Sequence, residues 1–124
     1  MNTRKKVLII DDDSRNIFAL SAVLRARGFK CVSAPGAAEG ISLLSDDPEI
    51  GIVLMDMMMP DMDGYEAIDK IRSNIETAGI PIIAVTAQAM VGDREKALSA
   101  GADNYASKPI DVDLLTNILN EHLT

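Results

Sequence analysis

The chain has a single cysteine, no tryptophan and an aromatic content of only 3%. One thiol, Cys31, excludes an internal disulfide. Lying in a predicted strand, it is expected to be a buried, reduced thiol of a cytosolic protein. So few aromatic rings leave no stacking platform for single-stranded nucleic acid. Positive charge is scarce too, with 12 Lys and Arg against 19 Asp and Glu for a net charge of −7. A direct nucleic-acid binder needs a basic face, and this composition denies one. No apolar run approaches the length of a membrane span. The opening Met1–Lys6 is too short for a signal peptide and runs straight into a strand, so neither a targeting segment nor a membrane partner is expected. The chain also lacks internal repeats, low-complexity tracts and any interdomain linker.

What remains is an ordinary soluble domain. A length of 124 residues allows one domain, 1–124. A hydrophobic content of 48% suffices for a core, and 25% charged residues is average, so disorder is not expected. Strands and helices alternate from end to end. The first strand is read at about Lys6–Ile10, followed by a helix capped by Ser14, ending near Arg27 and stopped by Gly28. Ile17, Leu20 and Leu24 share one face of that helix, with Phe18 and Val23 beside it. Strand two covers Lys30–Ala34. Pro35-Gly36 then turns the chain into helix two, Ala37–Ser45, with Ile41 and Leu44 inward. Strand three is Ile52–Met55, helix three Gly64–Ser73 and strand four Ile80–Val85. Helix four, Ala89–Ala100, is polar and weakly amphipathic, and Gly101 ends it. Strand five is brief, Asn104–Ala106. Helix five starts after Asp111 and buries Leu115, Ile118, Leu119 and Leu123. Such alternation implies right-handed crossovers and a parallel sheet covered on both faces, a doubly wound α/β fold.

In open sheets of this kind, chemistry collects at the carboxyl ends of the strands. The first apolar run ends in Asp11-Asp12-Asp13, and the third, Ile50-Gly51-Ile52-Val53-Leu54-Met55, ends in Asp56. Strand four supplies Thr86, and Lys108-Pro109 follows strand five. Carboxylates held close repel one another, so the pocket wants a divalent cation, and magnesium takes one or two carboxylates plus phosphate oxygens. A hydroxyl and an ammonium across the pocket would stabilise the remaining oxygens of a phosphoryl group. An aspartate so placed can itself be the nucleophile that forms an aspartyl phosphate. Taken singly each feature has a bland alternative: a solvated acidic turn capping a helix, a surface lysine, a strand threonine. Their combination favours a site.

The motifs Val7-Leu8-Ile9-Ile10-Asp11-Asp12, Leu54-Met55-Asp56 through Pro60-Asp61-Met62-Asp63-Gly64, Val85-Thr86-Ala87 and Lys108-Pro109 resemble response-regulator receiver domains of two-component signalling. The resemblance covers essentially the whole chain, in order. It implies a flavodoxin-like (βα)5 fold with strand order 2-1-3-4-5. By the same resemblance Asp56 is the phosphoacceptor, attacking the phosphorus of a phosphohistidine on a sensor histidine kinase or histidine phosphotransfer protein. Asp12 is then the main ligand of Mg2+, and Asp11 reaches the ion largely through water. Met58 offers its backbone carbonyl. Lys108 pairs with a phosphate oxygen, Thr86 turns toward the phosphoryl group, and Tyr105 occupies the aromatic switch position. Met58 and Gln88 match positions that tune hydrolysis of the aspartyl phosphate. The implied readout face is helix four, strand five and helix five, for a downstream protein target or onward phosphotransfer. Such a domain is a cytoplasmic phosphoacceptor that catalyses only its own modification and its reversal. The residue choice around Met57-Met58-Met59-Pro60 and after Ala87 is similar to receivers of hybrid kinases and phosphorelays. With no output domain in its 124 residues, the chain is expected to be a stand-alone regulator or an excised receiver.

Two rival functions share parts of this pattern. A haloacid-dehalogenase-type phosphohydrolase also uses an aspartate after a strand, but this chain has no cap domain, and Ala97 stands where a carboxylate is needed. A receiver-like module that never takes phosphate usually lacks an acidic residue or the lysine, and here Asp11, Asp12, Asp56, Thr86 and Lys108 are all present. The Met57-Met58-Met59 run lacks soft partners for copper and is read as packing. His122, in the last helix, is given no catalytic role.

Overall fold

The structure is a computed structural model that describes residues 5–59, 63–86 and 92–123. Its elements are β1 (Lys6–Ile10), α1 (Ser14–Ala26), β2 (Lys30–Ala34), α2 (Ala37–Asp46), β3 (Ile50–Asp56), α3 (Gly64–Ser73), β4 (Ile82–Thr86), α4 (Asp93–Ala100), β5 (Asn104–Ser107) and α5 (Val112–Leu123). All strand pairs are parallel, in the order β2-β1-β3-β4-β5. The doubly wound arrangement expected from the alternation is present, with the flavodoxin-like strand order that the resemblance implies.

The period-two alternation of each strand divides the core into two layers. Val7 and Ile9 of β1, with Ile52, Leu54, Ile83 and Val85, meet Leu24 of α1 and the four inward residues of α5. Leu8 and Ile10, with Val53, Met55, Ile82 and Ala84, meet α2, α3 and α4. Strand β3 runs through the middle and is buried along its whole length, which is why it reads as a continuous apolar run.

Several boundaries differ from expectation for physical reasons. The cap of α1 is Asp13, not Ser14: its carboxylate accepts a hydrogen bond from the Arg15 amide at 2.9 Å. The helix closes where Gly28 adopts φ +94°, with the Gly28 amide donating to Arg25 O and the Phe29 amide to Leu24 O. That pairing absorbs two orphan carbonyls and needs a left-handed residue. β3 starts two residues early because Gly51 is taken up in an irregularity between the Lys6 and Val7 pairings. β4 begins at Ile82, since Pro81 has no amide to add to the ladder. The proposed start of α4 at Ala89 lies outside the described residues. Within them, Gly92 at φ +94° precedes the helix, which opens at Asp93. Phe18 is 78% exposed, so it does not join the inward face of α1. Cys31 is buried as expected, and burial pushes its thiol pKa up.

Candidate functional site

The carboxyl edge of the sheet is where the chemistry-bearing residues gather. β1 delivers Asp11, whose amide donates to Ala34 O at 3.2 Å and whose Oδ1 accepts from the Asp13 amide at 2.9 Å. β3 ends on Asp56, whose Oδ1 accepts from the Met58 amide at 3.0 Å. The following residue, Met57, is tied to the next strand by its amide donating to Val85 O at 2.9 Å. β4 ends on buried Thr86, and the Lys108 amide donates to the Thr86 carbonyl at 2.8 Å. Each site residue is thus held by a backbone bond to a neighbouring strand or to its own turn.

The side chains converge. One carboxylate oxygen from each of Asp11, Asp12 and Asp56 lies within 4.8 Å of the others. Asp11 and Asp56 are buried and Asp12 is exposed. Lys108 Nζ stands 3.5 Å from Asp11 Oδ2 and 3.9 Å from Asp56 Oδ2. Burial is the main cause that pushes the Asp56 carboxyl pKa above its ordinary value, and the negative charge of Asp11 adds to it, while the Met58 amide and the Lys108 ammonium pull the other way. Asp13 does not join the cluster, because its carboxylate is spent on capping α1.

The donor set suits a hard divalent cation. Three carboxylate oxygens at this separation, with no sulfur or imidazole among them, match the oxygen ligands magnesium prefers. Among the described residues the Lys108 ammonium faces two of these carboxylates and offsets part of their charge.

The remaining expected site residues are less tightly grouped. Met58 is 55% exposed, beside Asp56, while its neighbours Met57 and Met59 are buried. The run is therefore packing at both ends and surface in the middle. Tyr105 lies on β5 opposite Ala84, partly buried, and burial, then Asp93, then Tyr65 raise its phenol pKa. Gln88 lies outside the described residues.

Two features went unread in the sequence. A cavity of about 290 Å³ extends from the cluster along α1, lined by Asp11, Asn16, Leu20, Asp56, Lys108 and Ile110 among others. Asn16, four residues after Asp12, was the available signal for it. Gly64 opens α3 so close to Met57 that a Cβ there would lie 2.8 Å from Met57 Cα. The Asp63 carboxylate caps the same turn by accepting from the Glu66 amide at 2.9 Å.

A five-stranded parallel sheet with helices on both faces and a lysine beside an acidic cluster at its carboxyl edge defines a doubly wound α/β domain. The chain belongs to the response regulator receiver domain family, which it matches over residues 7–120. It is 30% identical over 115 residues to protein PilH of Pseudomonas aeruginosa, covering 93% of this chain and 94% of that one. It is 37% identical over 125 residues to hybrid signal transduction histidine kinase I of Dictyostelium discoideum, covering 96% of this chain and 7% of the kinase. The chain therefore spans only a small part of that relative. Among solved structures it resembles the receiver domain of the Pseudomonas aeruginosa sensor histidine kinase PA1611, with magnesium coordinated in the active-site cleft. That match has 31% identity, a TM-score of 0.86, and coverage of 96% of this chain and 97% of that one. It also resembles a chain in the co-crystal structure of the Saccharomyces cerevisiae phosphotransfer protein Ypd1 with the Ssk1 receiver domain. There the identity is 25%, the TM-score 0.85, and the coverage 99% and 91%.

Proposed function

We propose that this domain, 1–124, is a phosphoacceptor that takes a phosphoryl group from a phosphohistidine onto Asp56. The observation that carries the reading is the convergence of Asp11, Asp12 and Asp56 within 4.8 Å, with Lys108 Nζ 3.5 and 3.9 Å from the two buried carboxylates. In the transfer an Asp56 carboxylate oxygen attacks phosphorus, the phosphorus–nitrogen bond breaks, and the imidazole leaves with the bonding pair. Met58's amide fixes one Asp56 oxygen, which leaves the other to attack. Lys108 lies where it can pair with a phosphoryl oxygen, and Thr86 supplies a hydroxyl from the end of the adjacent strand. Mg2+ would be held by Asp11, Asp12, Asp56 and the Met58 carbonyl, and its charge would offset that of the phosphoryl oxygens.

The donor is a sensor histidine kinase or histidine phosphotransfer protein, a reading supported by the hybrid-kinase and Ypd1–Ssk1 likenesses. Once Thr86 engages the phosphoryl group, the turn after β4 follows it, Tyr105 moves inward, and the α4–β5–α5 face changes for a downstream protein or for onward transfer. Met58, which is exposed, and Gln88 tune the lifetime of the acyl phosphate, Met58 by hindering the attacking water. The domain modifies only itself, in the cytoplasm, and turns over no other substrate.

The test is incubation with Mg2+ and acetyl phosphate, read by intact mass beside an Asp56→Asn variant and repeated with a phosphohistidine donor. Gain of one phosphoryl group that needs Mg2+ and Asp56 is expected. No gain from either donor by the folded protein would replace this reading with that of a non-phosphorylated interaction module. For Met58, the Met58→Asn variant is expected to lose its phosphoryl group faster, and an unchanged rate would remove that role.

A further inference from the structure

We propose that Lys96 and Tyr65 form a latch that holds α4 in its resting position against α3, so that the readout face is released when this contact breaks. The inference rests on the receiver reading above.

The Lys96 ammonium stands 4.5 Å from the centroid of the Tyr65 ring. An ammonium within about 6 Å of an aromatic face is attracted by the ring quadrupole. The two partners are anchored very differently. Tyr65 follows Gly64, which is wedged against Met57, and its helix buries Ala67, Ile68 and Ile71. Its backbone is therefore fixed relative to the end of β3 and Asp56. Lys96 sits on α4, which buries only Ala97 and has no side-chain cap at Gly92. The contact thus ties a capped helix with four buried residues to one with no side-chain cap and a single buried residue. A shift of α4 by a few ångströms carries the ammonium beyond the reach of the ring.

The surroundings make the contact part of the readout region. Asp93, on the first turn of α4, and Tyr65 both act electrostatically on Tyr105 of β5. Tyr65 of α3, under the Lys96 ammonium, and Tyr105 of β5 pack against the same side of the core. Lys96 and Tyr65 are positioning residues: they touch neither the acidic pocket nor the phosphoryl group, and act through the location of α4. With binding at Asp56 coupled to movement of α4 as proposed above, loosening the latch tightens ligand binding at the pocket by up to the same factor.

An exposed cation–ring contact biases a two-state equilibrium by about two- to fivefold. The test is calorimetric titration of the full chain with beryllofluoride, a phosphoryl mimic, in the presence of Mg2+. Tyr65→Leu and Lys96→Gln are each expected to tighten binding about two- to fivefold, while Lys96→Arg keeps the wild-type value. The double variant is expected to be no tighter than either single one. Removing a positive charge would by itself weaken binding of an anion, so tighter binding by Lys96→Gln has the opposite sign to a simple charge effect. Unchanged or weaker binding by either single variant, or additive effects in the double, would overturn the latch. If the wild-type protein binds no beryllofluoride, the receiver reading fails, and the latch is then read separately from amide exchange of α4 in the ligand-free protein. Faster exchange in Lys96→Gln than in the wild type and Lys96→Arg supports it, and equal rates overturn it.

Discussion

α3 and α4 are successive helices packed on the same face of the sheet, yet they are held in opposite ways. α3 is capped by Asp63 and buries Gly64, Ala67, Ile68 and Ile71. α4 is preceded by Gly92, has no side-chain cap and buries only Ala97. What α4 has is a pin at its far end. The Arg72 guanidinium, on the last turn of α3, donates twice to Gly101 O, once each to Ala78 O and Ile80 O, and to Asp103 Oδ2 at 2.8 Å. Asp103 in turn accepts from the Ile82 amide, at the start of β4. The helix that carries the end of β3 is thus fixed by packing, whereas its neighbour is fixed at one end by hydrogen bonds. Elements with few buried apolar contacts are the ones that open or shift at low cost. The fold stiffens the side where the phosphoryl group is expected to land and leaves loose the side expected to respond.

The largest contrast is in truncation. Ile71→Ala in α3 is expected to cost about 2–5 kcal/mol in chemical denaturation, as for any fully buried isoleucine. Arg72→Met, which strips the pin from α4, is expected to cost about 3 kcal/mol, roughly one per abandoned carbonyl. It should also raise amide exchange near Gly101 more than in the first turn of α3. Equal exchange in both helices would mean that α4 is held by something other than the pin. Gly64→Ala forces a methyl onto Met57 and is expected to cost about 1–3 kcal/mol while disturbing the Asp56 turn. Retained stability and retained phosphorylation in this variant would show that the start of α3 is not rigid.

A smaller effect has a defined sign with pH. The folded-state pKa of Asp56 is raised above the ordinary 3.8, so its ionised form is the disfavoured one in the native protein. The stability contribution is present below the unfolded pKa and is lost as pH rises through the folded one. Asp56→Asn is therefore expected to unfold at a higher temperature than wild type at neutral pH, with the gap closing below about pH 4. A gap that widens in acid would reverse the assignment. The smallest effect is Leu98→Ala on α4, where the side chain is 37% exposed, with a change within about 0.5 kcal/mol.

Most of the fold was legible because the central strands β1, β3 and β4 are almost wholly buried and α3 and α5 carry clear apolar faces. α3 and the four inward residues of α5 follow directly from that pattern. The misread edges have local causes that a pattern does not carry. Asp13 rather than Ser14 caps α1, Gly51 is absorbed into a pairing irregularity, and Pro81 delays β4. The acidic residues and Lys108 were legible because each terminates or follows a strand. Asp13, left out of the expected metal ligands, caps α1, so the acidic run divides between the site and a helix cap. Arg72 and the Lys96–Tyr65 contact were illegible in principle, because each joins residues far apart in sequence with no shared motif.

The most direct measurement is amide hydrogen exchange across α3 and α4, before and after phosphorylation with acetyl phosphate and Mg2+, using Asp56→Asn as the blank. The account predicts that exchange changes in α4 and β5, stays constant in α3, and does not change at all in the blank. Equal changes in α3 and α4, or the same change without Asp56, would contradict it.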